Sequence, residues 1–386
     1  MLEPAGDDVR PTLLIKDYGG LLIAADRSDV GAERDHVIGI NPTAMTLAGL
    51  TVRGSVGSFL DVGTGGGVQA LLAAGESAQV RAVDINARAL EFARFNADLN
   101  ATTNVTWLQG DQFEPVAGEL FDRVVSNPPY VISPDSDFVY RDGGMVGDGM
   151  SESVVRGAAA HLVDGGYATV LCNWAQRLDE PWHARVQGWV ADSGCDALVV
   201  RFSSTVPPAY ALTWNGHLEE FDDVVERWVR YFAELGIEAI GDGGVILRKR
   251  RGDNWFRTLD VPDVRVGRCS EQLLELFAGV DAALEADEAL LRRHFVLSGD
   301  MQIVETTTPA SGERTARLER PGSLGLVAGL DAPSLHLIRG CRPDLPLADL
   351  LDDVAQTFGI DRAEAVDIGL SVVRRMLGLG FLAAAR

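Results

Sequence analysis

The chain has 386 residues, of which 46% are hydrophobic and 23% charged, and its formal net charge is −22. That length suits more than one domain, and the balance is that of an ordinary globular protein and not of a disordered chain. The acidic surplus disfavours an indiscriminate clamp on a phosphate backbone, although it leaves room for a local basic patch.

In chain order, LLIKDYGGLLIAAD (13–26) reads as a β-hairpin turning at Gly19-Gly20, and HVIGINPTAMTLAGLTV (36–52) as a short helix with Asn41 as cap and Pro42 in its first turn. A regular alternation begins at Ser58. Strands SFLDVG, VRAVDI, VTWLQGD and FDRVVSNPP are separated by helix VQALLAAG, helix ARALEFARFNADLN and a turn. Helix SESVVRGAAAHLVDGG (151–166) then precedes strand YATVLCNW. Helix WHARVQGWVADSG, strand CDALVVRFSS, helix FDDVVERWVRYFAELG and strand GGVILRKRR complete the pattern near residue 251.

Such alternation predicts right-handed crossovers and an α/β, doubly wound, mainly parallel sheet of seven strands with a Rossmann-like build. We expect a lead-in over 1–52, a catalytic domain over 53–251 and an α+β accessory region over 252–386. The last contains a helix pair around SEQLLELFAGVDAAL, a strand MQIVETTT and, from about residue 320, a pattern resembling a winged helix.

No apolar run approaches the roughly 18 residues that a membrane span requires. The opening MLEPAGDDVRPTLL lacks a basic region followed by an apolar core, so no signal peptide is expected. Cys172, Cys195, Cys269 and Cys341 are scattered and have no histidine at ligand spacing. They predict buried thiols in a reducing, cytoplasmic setting, with no metal site.

Chemistry-bearing residues gather at the strand ends. In LDVGTGGG, Gly63, Gly65 and Gly67 let the backbone turn tightly where the first strand meets the first helix, the rim on which open α/β sheets bind ligands. The Gly-x-Gly-x-Gly spacing places Val68 where a pyrophosphate loop has its last glycine, and no Gly-Lys-Ser/Thr follows. Dinucleotide and nucleoside triphosphate sites are therefore disfavoured. Asp84 ends the second strand, where a carboxylate can accept both hydroxyls of a ribose, and Asp111 ends the third. The fourth strand ends in Asn127-Pro128-Pro129-Tyr130, a corner that two prolines make rigid. Taken singly, each feature could be a turn or a cap.

As an ordered set they resemble the class I S-adenosylmethionine-dependent methyltransferases, and within them the Asn-Pro-Pro-Tyr branch that modifies planar nitrogens. The resemblance is strong over residues 35–180 and reaches toward 251. It implies that Asp61, Gly63, Thr64, Gly65 and Gly67 hold the methionine end of the cofactor, that Asp84 and Ile85 serve the ribose side, and that Asp111 and Gln112 sit by the adenine. Asn127 to Tyr130 would receive the substrate, with Asn127 also facing the cofactor. Pro42 and Thr43 fall where the branch commonly starts a helix beside it.

The chemistry explains the corner. The lone pair of an amide or exocyclic amine is delocalised, so such a nitrogen is a poor nucleophile. The Asn127 side-chain oxygen and the Pro128 carbonyl can each accept a hydrogen bond from it, fixing its orientation and favouring the charge that develops on methylation. Tyr130 offers a flat face for stacking.

Two macromolecular substrates fit. One is the side-chain amide of a protein glutamine, as in the HemK-like release-factor methyltransferases, whose corner resembles SNPPYV and whose following stretch resembles RDGGMVGDGM (141–150). The other is the exocyclic amine of adenine or guanine in RNA or DNA. The acidic charge favours protein. Against it, LRKRRGDNWFR sets Arg248, Lys249, Arg250 and Arg251 before Trp255 and Phe256, a cation-and-aromatic run that could grip a single strand. The same run also reads as a solvated strand end followed by core aromatics. The chain departs from the HemK-like pattern in lacking an evident helical bundle ahead of the cofactor domain and in its long C-terminal extension. SSTVPPAYALTWN (203–215) reads as a structural loop, with lining of the substrate mouth as the other reading.

Overall fold

The computed structural model describes residues 2–5, 8–27, 35–135, 141–215, 221–261, 267–310, 312 and 314–385, with backbone alone at 2–5, 8–10 and 221. It divides into two compact units, Met1–Val264 and Arg265–Arg386.

The first unit opens with β1 (Leu2–Ala5), β2 (Asp8–Pro11), β3 (Leu13–Tyr18) and β4 (Leu21–Asp26). The hairpin expected over 13–26 is β3 paired with β4. Helix α1 (Pro42–Leu50) follows, and Asn41 caps it by accepting from the Ala44 N–H over 2.7 Å. Then come β5 (Val56–Val62), α2 (Val68–Ala74), β6 (Ser77–Asp84), α3 (Ala87–Leu99), β7 (Val105–Gln109), β8 (Phe121–Ser126), α4 (Gly149–Ala160) and β9 (Leu162–Gln176). The unit finishes with α5 (Ala184–Val190), β10 (Cys195–Thr205), α6 (Pro207–Asn215), α7 (Phe221–Glu234), β11 (Ala239–Lys249) and β12 (Phe256–Asp260).

Eight strands form the main sheet in the order β12-β10-β11-β9-β8-β5-β6-β7. Strand β11 runs antiparallel to both its neighbours, and every other pairing is parallel. Interior strands carry apolar runs such as the fully buried Ala197–Val200 of β10, as expected where helices cover both faces. On one face Val154, Val155 and Ala158 of α4 and Val186, Trp189 and Val190 of α5 pack on Val124, Ala168, Val170 and Val245. On the other, Tyr210 and Ala211 of α6 and Trp228 and Phe232 of α7 pack on Ala175 and Ile240.

Three local expectations differ from the structure. Residues 162–166 belong to β9 and not to the preceding helix. Gly165 adopts φ +82°, and a side chain on Gly166 would strike the carbonyl oxygens of Val163, Phe121 and Asp122 at 2.9–3.1 Å. This is the bulge at which β8 and β9 change register between Phe121 and Arg123. Residues 207–215 form α6 and not a loop, since prolines at the start of a helix forfeit only N–H groups that have no partner there. Finally, Phe256–Asp260 joins the sheet as an eighth strand beside β10.

The second unit is α+β. It comprises α8 (Ser270–Ala283), α9 (Asp287–Arg292), β13 (Phe295–Leu297), β14 (Gln302–Thr307), β15 (Arg314–Glu319), β16 (Val327–Leu330), α10 (Ala332–Gly340), α11 (Leu347–Phe358), α12 (Arg362–Gly378) and β17 (Leu382–Ala384). Strands β14, β15 and β16 make an antiparallel sheet, and β13 pairs with β17. Helices α8 and α12 meet at Gly279, where a Cβ would lie 2.2 Å from the Leu377 carbonyl oxygen. Among the described residues of the chain, no helix is long and apolar enough to cross a membrane.

Candidate active site

The glycine loop leaves β5 at Val62 and enters α2 at Val68. Gly63, Gly65 and Gly67 have φ of +71°, +55° and +85°, a region that residues with a Cβ occupy at a steric penalty. A Cβ on Gly67 would also lie 3.0 Å from the Trp107 ring, whereas one on Gly65 would meet nothing within 4 Å. The turn thus packs inward at Gly67 and is open above Gly65.

Two carboxylates hold this loop. Asp61, buried beneath it, accepts from Thr64 Oγ1 over 2.6 Å and from the Ala70 N–H over 3.0 Å through Oδ2. Burial raises its pKa to about 7; the bonds from Thr64 and Ala70 pull the other way, and Asp84 adds to the rise. Asp84, at the end of β6, accepts from the Gly65 N–H over 2.7 Å and the Asn86 N–H over 2.8 Å. Burial raises its pKa too, against the N–H groups of Asn86, Gly65 and Ile85. Gly65 bonds one Asp84 oxygen and Asn86 the other, which leaves acceptor capacity on the carboxylate.

Beyond Asp84 the Ile85 side chain is 56% exposed, an apolar surface beside the carboxylate. At the end of β7, Asp111 is exposed, and Gln112 takes φ +45° and accepts from Ser153 Oγ over 2.7 Å. The third strand end is thereby tied to α4.

Asn127 to Tyr130 follows β8 directly. Ser126 Oγ donates to the Val62 carbonyl over 2.7 Å, joining the base of the corner to the base of the loop. A Cβ on Gly63 would lie 3.9 Å from the Asn127 carbonyl oxygen and 4.0 Å from Pro128 Cα, so loop and corner border one narrow space. Tyr130 is half-buried, and burial together with Asp242 raises its pKa, keeping the phenol protonated. The strand ends predicted to carry chemistry lie along one rim of the parallel sheet.

Residues 41–181 match the family Methyltransferase small domain. The release factor glutamine methyltransferase of Xylella fastidiosa is 37% identical over 128 residues, which cover 30% of this chain and 46% of the relative. That of Yersinia pestis is 39% identical over 130 residues, covering 31% of this chain and 47% of the relative. The chain therefore spans less than half the length of these curated relatives. Trm5b of Pyrococcus abyssi overlies 64% of this chain and 62% of its own at 17% identity, with a TM-score of 0.38.

Within the matched segment, two positioning elements escape a reading of strand ends. Asn96 of α3 is fully buried. Its Oδ1 accepts from the Ala24 N–H over 2.8 Å, and its Nδ2 donates to the carbonyls of Ala24 at 3.0 Å and Gly66 at 2.9 Å. It stitches the hairpin to the glycine loop. The signal was an asparagine on the apolar face of an amphipathic helix, spaced three residues from Ala93. The second element is a relay at the start of α1: Asn127 Nδ2 approaches Thr43 Oγ1 at 3.5 Å, and Thr43 donates to Asn41 Oδ1 over 2.9 Å. It gives the Asn127 amide nitrogen a partner at the start of α1.

The basic tract lies at the other end of the sheet. Arg248 pairs in register with Tyr167, early in β9, whereas the corner follows the late end of the parallel β8. Fully buried Asp196 takes Arg248 at 2.6 Å and Arg250 at 2.8 Å, and Lys249 donates to the Ser193 carbonyl. Trp255 is buried, and Phe256 packs against the core from β12. The tract is built around an internal counter-charge. Cys172 is a buried strand residue whose pKa burial raises, in keeping with a structural role.

Proposed function

We propose that this chain is an S-adenosylmethionine-dependent N-methyltransferase whose acceptor is the side-chain amide of a protein glutamine. The observation that carries this reading is the approach of Gly63 to Asn127 and Pro128, which sets the open backbone cradle of a methyltransferase domain against a rigid pair of carbonyl acceptors.

The residues present fit the cofactor. The space above Gly65 is open, as a closely approaching ligand requires, and Asp84 keeps acceptor capacity for two ribose hydroxyls. Ile85 and the Asp111–Gln112 turn would flank the adenine, while the Gly63–Gly67 backbone, held by Asp61 and Thr64, would meet the methionine end. When bound, the cofactor supplies an electrophilic methyl group. Asn127 Oδ1 and the Pro128 carbonyl accept the two N–H bonds of the target amide and point its nitrogen along the line of transfer. Their partial negative charge stabilises the nitrogen as it becomes positive. Tyr130, kept as a neutral phenol, covers the amide plane.

Protein is preferred over a nucleobase for two reasons: the two relatives named above are release factor glutamine methyltransferases, and Arg248 and Arg250 answer to Asp196. The test is transfer of labelled methyl from S-adenosylmethionine into a ribosome-containing bacterial extract, split between protease and ribonuclease. Label lost only to protease supports the glutamine reading. Label lost only to ribonuclease replaces it with base methylation.

A further inference from the structure

Beside the corner lies a polar layer that the proposed reaction does not use. Asp242 of β11 stands opposite Asn173 of β9, and directly opposed residues of an antiparallel pair share a face. The next pair on that face, Ile240 and Ala175, lies in the apolar cluster beneath α6 and α7. Side chains on Gly241 or Gly243 would strike Trp174, at 2.2 and 3.0 Å, so Asp242 is the one side chain in the run Gly241–Gly244.

Among the described residues no donor is hydrogen-bonded to the Asp242 carboxylate. Asn173, 2% exposed, gives its Nδ2 to Tyr210 over 2.7 Å, and its Oδ1 has no donor. Tyr210 also accepts from the Ile132 N–H over 3.1 Å, tying this layer to the chain two residues past Tyr130. The negative charge of Asp242 also opposes ionisation of Tyr130 and Tyr210. A buried acceptor without a donor, as Asn173 Oδ1 is, is expensive to keep unless a ligand supplies the donor, and the Asp242 carboxylate stands opposite it. Asp242 is only partly covered, so a donor can reach it.

We propose that Asp242, backed by Asn173, is a specificity-determining acceptor for the substrate: it receives a cationic side chain adjacent to the glutamine whose amide occupies the Asn127–Tyr130 corner. The inference rests on the methyl-transfer reading above. It assigns the corner to the reacting amide and Asp242 to its neighbour in the peptide.

The test uses the full chain with S-adenosylhomocysteine bound and acetylated, amidated pentapeptides that differ only in the residue beside a single glutamine: Arg, Ala or Glu. Calorimetry measures affinity, and labelled S-adenosylmethionine measures turnover. The wild type should bind the Arg peptide at least about tenfold tighter than the Glu peptide, the scale of one charge-assisted hydrogen bond. Asp242→Asn and Asp242→Ser should erase that preference while binding S-adenosylhomocysteine as the wild type does. Equal affinities in the wild type, or a preference that survives both substitutions, overturns the proposal. A preference that depends on Asp242 without methylation of any peptide upholds Asp242 and removes glutamine as the acceptor. Methylation of all three peptides alike upholds glutamine and removes Asp242. Failure of every peptide to bind counts against both.

Discussion

Asn127 and Thr43, 84 positions apart in sequence, meet through Nδ2 and Oγ1 at 3.5 Å. The contact makes the start of α1 part of the corner, because Thr43 is itself anchored on the capping Asn41. Replacing Thr43 by Val keeps the shape and deletes the hydroxyl, freeing the Asn127 amide to rotate. We expect kcat to fall about three- to tenfold, the scale of one net hydrogen bond, with the dissociation constant for S-adenosylmethionine unchanged. A fall in cofactor affinity instead would place Thr43 in the cofactor site.

Asn127→Ala removes the acceptor itself. Turnover should fall about a hundredfold or more, as when a single oriented hydrogen-bonding group is lost from a charge-stabilising site, while equilibrium cofactor binding persists. Full turnover in this variant would end the proposed mechanism.

Asp84 supports the Gly65 and Asn86 N–H groups and offers its remaining lone pairs outward. In Asp84→Ala, cofactor affinity should drop at least about a hundredfold, since two bonds to a charged acceptor disappear together. Calorimetry with S-adenosylhomocysteine reads this without dependence on any acceptor substrate.

Asp61 links stability to pH. Its pKa rises from 3.8 to about 7 on folding, so the fold favours the protonated acid. That contribution is complete below the unfolded pKa and disappears as pH climbs through about 7. Asp61→Asn removes the dependence. The Tm difference, Asp61→Asn minus wild type, should therefore grow between about pH 5 and pH 8. A difference that shrinks over that range would mean the carboxylate is held ionised.

Asn96→Ala would strand the buried N–H and carbonyl of Ala24 and the carbonyl of Gly66. We expect a loss of about 2–4 kcal/mol in chemical denaturation, with cofactor affinity reduced alongside. Loss of stability without loss of affinity would show that the loop keeps its shape unaided.

The rim was legible because its residues are local in sequence: a glycine loop, an acidic strand end and a proline corner each announce a backbone event. Asn41 and Pro42 marked the start of α1 for the same reason. What escaped was set by distant contacts. Asn96 falls on the apolar face of an amphipathic helix, but its partners stay hidden until β4 arrives beside it. Arg248 and Arg250 read as a patch because their partner, Asp196, lies more than fifty positions earlier on the neighbouring strand. Asp242 gave no signal, because its meaning comes from register with Asn173 and from the Trp174 ring that forbids side chains on either side. Residues 207–215 were misjudged because two prolines suit a loop as well as a first helical turn.

The strand Phe256–Asp260 determines where this protein can be cut. Its partner β10 carries Ala197, Leu198, Val199 and Val200, all fully buried, and β12 occupies the edge that this apolar strand would otherwise present to solvent. Ending the chain at residue 251, where the alternating pattern stops, would leave a bare hydrophobic template for intermolecular pairing. Ending it beyond Val261 keeps the seal, with Arg257 and Asp260 as charged gatekeepers on the outermost strand. A trimmed catalytic fragment should accordingly be monodisperse in the longer form and self-associate in the shorter one.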